Sequence, residues 1–362
     1  MMLKKSSRLG SVRRLARAAG TLWLGWCLGL ATWPAWGGTW TPLSNLAPDY
    51  ISMTLLLPNG TVMAHGEESS FWYLLTPSAT GSYADGTWTT LPAMNYSRLY
   101  FASDVLRDGR VLVAGGEYGS GGATAEVYDP VANTWTVVTP PTSLLNPNLA
   151  SPAVDEKQGF FDATSEVVSN GMVLVAPVGS KTVGGSLLFN PTANTWSAGP
   201  TFHKTGFPDQ CEASWVKLAD NSILTVNPYG TTSERYIPTL NQWVNDGVVP
   251  VSLYDTNGEE GAAVLLPDGR AFFQGGTGHS ALYTPSGGTT PGVWAAGPDL
   301  PNGQGTSDAP AALLANGNVL CVVGPKETLD APTSFYEYNP AANVFTQYLS
   351  PYGTLTLDYP PY

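Results

Sequence analysis

One short phrase recurs five times in this chain and limits what it can fold into. It reads Tyr128-Asp129-Pro130-Val131-Ala132-Asn133-Thr134-Trp135, then Phe189-Asn190-Pro191-Thr192-Ala193-Asn194-Thr195-Trp196. Tyr236-Ile237-Pro238 running to Asn241 and Trp243, and Tyr338-Asn339-Pro340 running to Asn343 and Phe345, repeat it. Tyr283-Thr284-Pro285 to Trp294 is a looser copy. A repeat of roughly 50 residues ending in an aromatic side chain implies stacked or radial modules, not one irregular core.

Upstream of each aromatic lie two apolar runs joined by an Asx-Gly pair: Asn59-Gly60, Asp108-Gly109, Asn170-Gly171, Asp268-Gly269 and Asn316-Gly317, with Asp220-Asn221 in the fourth slot. Such pairs tolerate positive φ and predict two-residue hairpin turns. The flanking runs, such as Val111-Leu112-Val113-Ala114, are short and rich in β-branched residues, as in strands buried on both faces. Each module therefore predicts four antiparallel strands. Strand a leads into the Asx-Gly turn, b ends at glycine, c carries Tyr-x-Pro, and d carries the aromatic.

Four-stranded sheets repeated radially make an all-β propeller. Asp108-Gly109-Arg110-Val111-Leu112-Val113-Ala114-Gly115-Gly116, followed by Tyr128 and Trp135, resembles the kelch motif. The resemblance spans roughly 50–348 in six modules and implies a kelch-type β-propeller within the superfamily that includes galactose oxidase. It carries fold more than function, because one scaffold hosts many activities.

Residues 1–37 are a different kind of sequence. They hold six of the sixteen basic residues and no acid, then an apolar run from Leu22, then Ala35-Trp36-Gly37. This is a secretory signal pattern, too short in its apolar part for a membrane span. The expected division is a signal peptide over 1–37 and one propeller domain over 38–362, secreted, periplasmic or at the cell surface. The export route, Sec or twin-arginine, is left open. Beyond residue 37, ten basic residues face twenty-eight acidic ones, a net charge of −18. That balance disfavours nucleic acid and anionic membranes as partners. Cys211 and Cys321 lie in modules 4 and 6 with no metal-type spacing, and are expected to be free thiols.

Gly38-Thr39-Trp40-Thr41-Pro42-Leu43 nearly copies Gly86-Thr87-Trp88-Thr89-Thr90-Leu91, a strand d. Trp40 thus reads as the last strand of an incomplete seventh blade, in a chain lacking most of that blade. The alternative is a six-bladed ring with this strand beside blade six.

Counting back eight residues from each a–b turn reaches Ile51, Tyr100, Asp162, Glu212, Glu260 and Asp308. Radial repetition would gather the four successive acids, Asp162, Glu212, Glu260 and Asp308, at the start of the innermost strands, around the channel mouth. Converging carboxylates raise one another's pKa unless donors or a cation intervene, and a hard cation such as Ca2+ takes several oxygen ligands. The alternative is that backbone N–H groups and water satisfy them. His65, His203, His279, Glu117 and Tyr118 fall on loops of the same face, and Arg98 and Tyr100 lead into the second strand a.

These residues predict a binding module for a glycan or an extracellular protein, with Tyr100 and Tyr118 stacking on sugar and the acids bonding hydroxyls. No catalytic residue can be assigned from the sequence. The superfamily resemblance also implies a second possibility, a carbohydrate-active or galactose-oxidase-like enzyme. Copper-radical oxidases use a Cys–Tyr crosslink, a Tyr-His pair and a further histidine. Cys211 with Tyr100 or Tyr254 could be imagined as the crosslinked pair, but the chain has no Tyr-His dipeptide.

Overall fold

The computed structural model describes residues 39–145, 160, 162–176, 185–203, 210, 212–228, 230–328 and 331–351. The signal pattern over 1–37 and Cys211 lie outside the described residues. Thr39 and Trp40 belong to a separate unit with the residues before them, and the architecture that follows concerns Thr41 onward.

Six four-stranded antiparallel sheets form a β-propeller. Blade 1 comprises strands a to d at Ile51–Leu56, Val62–Gly66, Trp72–Thr76 and Thr87–Thr90. Blade 2 uses Ala102–Val105, Val111–Ala114, Ala125–Asp129 and Thr134–Val137. Blade 3 uses Ser165–Val167, Val173–Val175, Gly185–Asn190 and Thr195–Thr201. Blade 4 follows with Trp215–Lys217, Ile223–Val226, Thr232–Ile237 and Gln242–Val248. Blade 5 has Glu260–Leu265, Ala271–Gly275, Ser280–Thr284 and Val293–Ala296. Blade 6 has Ala311–Leu313, Val319–Pro325, Ser334–Asn339 and Val344–Tyr348, with Gln304–Gly305 paired to the end of its strand b. The a strands of successive blades touch one another from blade 1 to blade 6. Thr41–Leu43, expected in a strand, is irregular. The chain just beyond it is tied to blade 1, where Ser44 N donates to Ala84 O at 2.7 Å and Trp88 Nε1 donates to Asn45 O at 3.1 Å.

The repeats have a local physical cause. In every a–b turn the first Asx accepts, through Oδ1, the N–H two residues on: Thr61, Arg110, Met172, Ser222, Arg270 and Asn318, all at 2.9–3.1 Å. Only the second residue is left-handed, with φ 81° at Gly60 and 66° at Asn221. Gly60 N donates to Leu57 O and Leu57 N donates to Thr61 O. The loops are thus three-residue turns closed by a left-handed residue, glycine in five blades and Asn221 in blade 4, not the two-residue turns expected, and they suit antiparallel hairpins equally well. The c–d phrase works the same way. Asp129 Oδ1 accepts from Val131 N and Ala132 N, while the Tyr128 hydroxyl donates to Asn133 Oδ1 at 2.8 Å, with Asn133 at φ 55°. Tyr236–Asn241 and Tyr338–Asn343 repeat that bond at 3.0 and 2.8 Å.

In blades 2 to 6 the strand d aromatic packs beside the strand c aromatic of its own blade. The centroids of Tyr128–Trp135, Phe189–Trp196, Tyr236–Trp243, Tyr283–Trp294 and Tyr338–Phe345 are 5.0–5.7 Å apart. These rings feed the hydrophobic layers between blades. Met63 and Trp72 meet Val111, Val113 and Tyr128 between blades 1 and 2. Leu174 meets Ile223 and Trp243 between blades 3 and 4, and Phe272 meets Tyr338 and Cys321 between blades 5 and 6. Each fully buried large apolar side chain contributes about 1.5–3 kcal/mol, so the layers between blades are the main stabilising element. Cys321 is a free, buried thiol.

Candidate functional site

A cavity of about 650 Å³ opens where strands a of blades 2 to 6 begin. Tyr100, Glu117, Tyr118, Asp162, Glu212, Glu259, Glu260 and Asp308 all line it. The backbone explains why four of them face one space. Tyr100, Asp162, Glu212 and Asp308 occupy the same slot in their modules, and all are left-handed, with φ 51°, 37°, 60° and 52°. Asp tolerates this conformation, whereas Tyr and Glu are uncommon there. Holding them so costs about 1–3 kcal/mol each.

Blade 5 departs from this pattern. Its strand a begins at Glu260, which pairs with Gly275, and the register shifts between Glu260 and Ala263. Glu260 is therefore extended and 4% exposed, and its Oε1 accepts Ser214 N of blade 4 at 2.9 Å. Burial lifts its carboxyl to about 8, against the opposing Ser214 N–H bond. The acid that joins the mouth cluster from blade 5 is Glu259. One oxygen each from Glu212, Glu259 and Asp308 lies within 4.8 Å of the others.

All three carboxyls are pushed upward, burial being the largest cause. For Glu212 the charge of Asp162 and a hydrogen bond with it add to burial. For Glu259 a hydrogen bond with Asp308, and then its charge, add to burial. These are like charges in a partly dry space, and they favour protons or a cation among them.

Tyr100 and Tyr118 form an edge-to-face pair at the rim, centroids 5.9 Å apart. A two-residue sheet, Arg98–Leu99 against Tyr118–Gly119, aligns them. Arg98 does not reach the cavity. It is fully buried, bonding Glu126 Oε1 at 3.1 Å and the carbonyls of Gly115 and Thr124 at 2.5 and 3.2 Å. Gly115 and Thr124 flank the b–c loop that presents Tyr118, so Arg98 holds the platform from behind.

The histidines are not brought together. His65 is buried in strand b of blade 1. Its Nε2 donates to Ser69 O at 3.0 Å, which leaves Nδ1 to accept from Ser52 Oγ at 2.9 Å. Burial lowers its pKa to about 4. His203 N donates to Glu234 Oε2, and His279 Nδ1 lies 2.8 Å from Asp299 Oδ1. None of the three lines the cavity. Among the described residues the grouped metal-type donors are carboxylates only, a set that suits hard cations and does not fit a nitrogen-ligated copper centre.

Deeper in the channel, Ser165 Oγ donates to Asp104 Oδ2 at 2.5 Å between blades 3 and 2, and Lys217 Nζ of blade 4 meets Glu166 Oε1 of blade 3 at 2.8 Å. Sequence reasoning missed these links and Glu259. Only the adjacent carboxylates Glu259-Glu260 hinted at a choice between two side chains.

A family profile described as the Kelch motif matches residues 98–142. Two galactose oxidase sequences from Gibberella zeae are 28% identical over 237 residues. The match covers 60% of this chain and 33% of theirs, so the aligned region spans about a third of the length of these relatives. Among solved structures, a fungal alcohol oxidase of the AA5 family in complex with copper superposes with a TM-score of 0.61 at 16% identity, covering 89% of this chain and 68% of that one. The virginiamycin B lyase of Staphylococcus aureus superposes at 0.54 and 11% identity, covering 85% and 86%. At such identities these likenesses carry the fold alone. Among the described residues no helix is long and apolar enough to cross a membrane. Repeat motif, homology and blade architecture agree: the chain is a kelch-type β-propeller.

Proposed function

We propose that this propeller is a binding module that takes a glycan or an extracellular protein at its channel mouth. The observation that carries this reading is the convergence, in one cavity, of the Tyr100–Tyr118 pair with Glu212, Glu259 and Asp308. An aromatic wall offers an apolar face to a sugar ring or an aliphatic side chain, and carboxylates accept hydrogen bonds from hydroxyl or ammonium groups. Arg98 and its loop bonds keep the platform in place before the ligand arrives, which limits the entropy lost on binding. The leader pattern over 1–37 supports an exported protein, where such ligands are met. The test is a panel of immobilised glycans and extracellular-matrix proteins probed with the purified chain and with Tyr118→Ala. Binding to at least one ligand, weakened ten-fold or more in the variant, is expected. Binding unchanged in Tyr118→Ala would place the ligand elsewhere.

A second reading, an oxidase-like enzyme, is favoured by the 28% identity to galactose oxidase. The described histidines do not supply its copper site, so the direct check is peroxide release from galactose and simple alcohols after incubation with copper. Turnover would replace the first reading.

A further inference from the structure

Two positions in the chain carry the acceptor pattern for N-linked sugar, an asparagine followed two residues on by serine or threonine: Asn59-Gly60-Thr61 and Asn95-Tyr96-Ser97. The pattern matters only in an exported chain, and the leader pattern over 1–37 reads as export. The fold treats the two asparagines differently. Asn59 opens the a–b turn of blade 1 and is exposed. Its Oδ1 accepts from Thr61 N at 3.0 Å and from Thr61 Oγ1 at 2.7 Å. A backbone N–H can only donate, so the atom facing it is the oxygen. The amide nitrogen Nδ2 is left without a hydrogen bond among the described residues. No atom lies within 4 Å of where a Cβ on Gly60 would stand, so the space over the turn is open. At Asn95 the amide nitrogen is already engaged. Its Nδ2 donates to Glu126 Oε2 at 2.6 Å, against the buried Arg98–Glu126 pair.

The turn itself does not call for the threonine. The other five blades place Arg110, Met172, Ser222, Arg270 and Asn318 in that slot and close with the same backbone bond. Apolar surface also lies uncovered beside Asn59. Leu56 is 64% exposed and Tyr83 38% exposed, the Tyr83 hydroxyl donating to Gly60 O at 2.7 Å. An attached oligosaccharide is bulky and solubilising, and at this turn it covers both.

We propose that Asn59 is an acceptor for an N-linked glycan. The donor is an oligosaccharide carried on a lipid pyrophosphate, delivered by a membrane oligosaccharyltransferase. In the transfer a bond forms between Nδ2 and C1 of the first sugar, and the bond from C1 to the pyrophosphate oxygen breaks. The lipid pyrophosphate leaves, one amide proton passes to a base, and nothing is oxidised or reduced. Asn59 follows the far end of its strand a, whereas the cavity opens where strands a begin. The sugar therefore stands away from the mouth and leaves it open. The proposal rests on the reading of the chain as exported and is independent of what the mouth binds.

The experiment expresses the full chain in a eukaryotic secretory host, once with residues 1–37 and once with a host leader in their place. Medium and cell membranes are both treated with peptide-N-glycosidase and mapped by peptide mass spectrometry. Asn59→Asp removes the acceptor nitrogen and keeps the turn, since Asp108, Asp220 and Asp268 fill the same slot in blades 2, 4 and 5. Thr61→Val removes the hydroxyl and Thr61→Ser keeps it. Expected is an enzyme-sensitive glycan on Asn59, lost completely in Asn59→Asp and Thr61→Val and retained in Thr61→Ser. Asn59 found bare behind both leaders would overturn the proposal. So would sugar confined to Asn95, or a glycan count unchanged in Asn59→Asp. Modification behind the host leader alone would sink the export reading of residues 1–37 and leave the acceptor site standing.

Discussion

Glu259 and Glu260 are neighbours in the chain but serve different partners. Glu259 shares the mouth with Glu212 and Asp308, while Glu260 Oε1 accepts the Ser214 N–H of blade 4 at 2.9 Å. The first relation is repulsive unless a proton or cation intervenes, and the second ties two blades together. Glu259→Gln should therefore be neutral or slightly stabilising in metal-free buffer. Glu260→Ala should cost about 0.5–1.5 kcal/mol, the net worth of the hydrogen bond to the half-buried Ser214 N–H. Denaturant unfolding of both variants in EDTA checks this, and equal effects would contradict it.

Arg98 and Glu126 form a fully buried pair at 3.1 Å. Glu126 also accepts from Asn95 N, Asn95 Nδ2 and Tyr96 N, so removing Arg98 strands a buried, densely bonded partner. Arg98→Met should destabilise by about 3–5 kcal/mol and, by loosening the b–c loop, weaken any ligand that stacks on Tyr118. The first effect is measured in urea and the second by binding at a temperature where the variant remains folded.

His65 gives the fold a pH dependence of known sign. Its folded pKa is about 4, below the ordinary 6.5, because burial disfavours the charged ring. Between these values the unfolded chain binds more protons than the native one. Stability should therefore be complete above about pH 6.5 and fall as pH drops toward 4, by roughly 3 kcal/mol for a shift of this size. His65→Gln should unfold with a flatter profile over that window. An unchanged slope would assign the acid sensitivity to other groups.

Asn133 holds the c–d turn of blade 2 at φ 55° while accepting the Tyr128 hydroxyl. Asn133→Gly keeps the conformation and loses the bond, about 0.5–1.5 kcal/mol. Asn133→Ala loses both and should cost about 1–2 kcal/mol more. Thermal melts of the two variants separate the backbone contribution from the hydrogen bond.

Much of the fold was legible because its causes are local. An Asx side chain capping the N–H two residues on, a left-handed residue after it, and a tyrosine reaching an asparagine five residues later are written within single turns, and they recur in the sequence. Counting from those turns also located Tyr100, Asp162, Glu212 and Asp308, since each slot keeps its geometry while the register is regular. The same count led to Glu260 in blade 5, where the shift before Ala263 hands the mouth position to Glu259. A bulge of this kind is set by how strand a pairs and packs between its neighbours, which no local pattern records. For the same reason, only the tertiary structure separated Arg98 from the cavity, dispersed the three histidines, and put Lys217 against Glu166. The sequence determined the modules through short-range hydrogen bonds. The folded chain decided which side chains meet, because that depends on register between strands and on packing between blades.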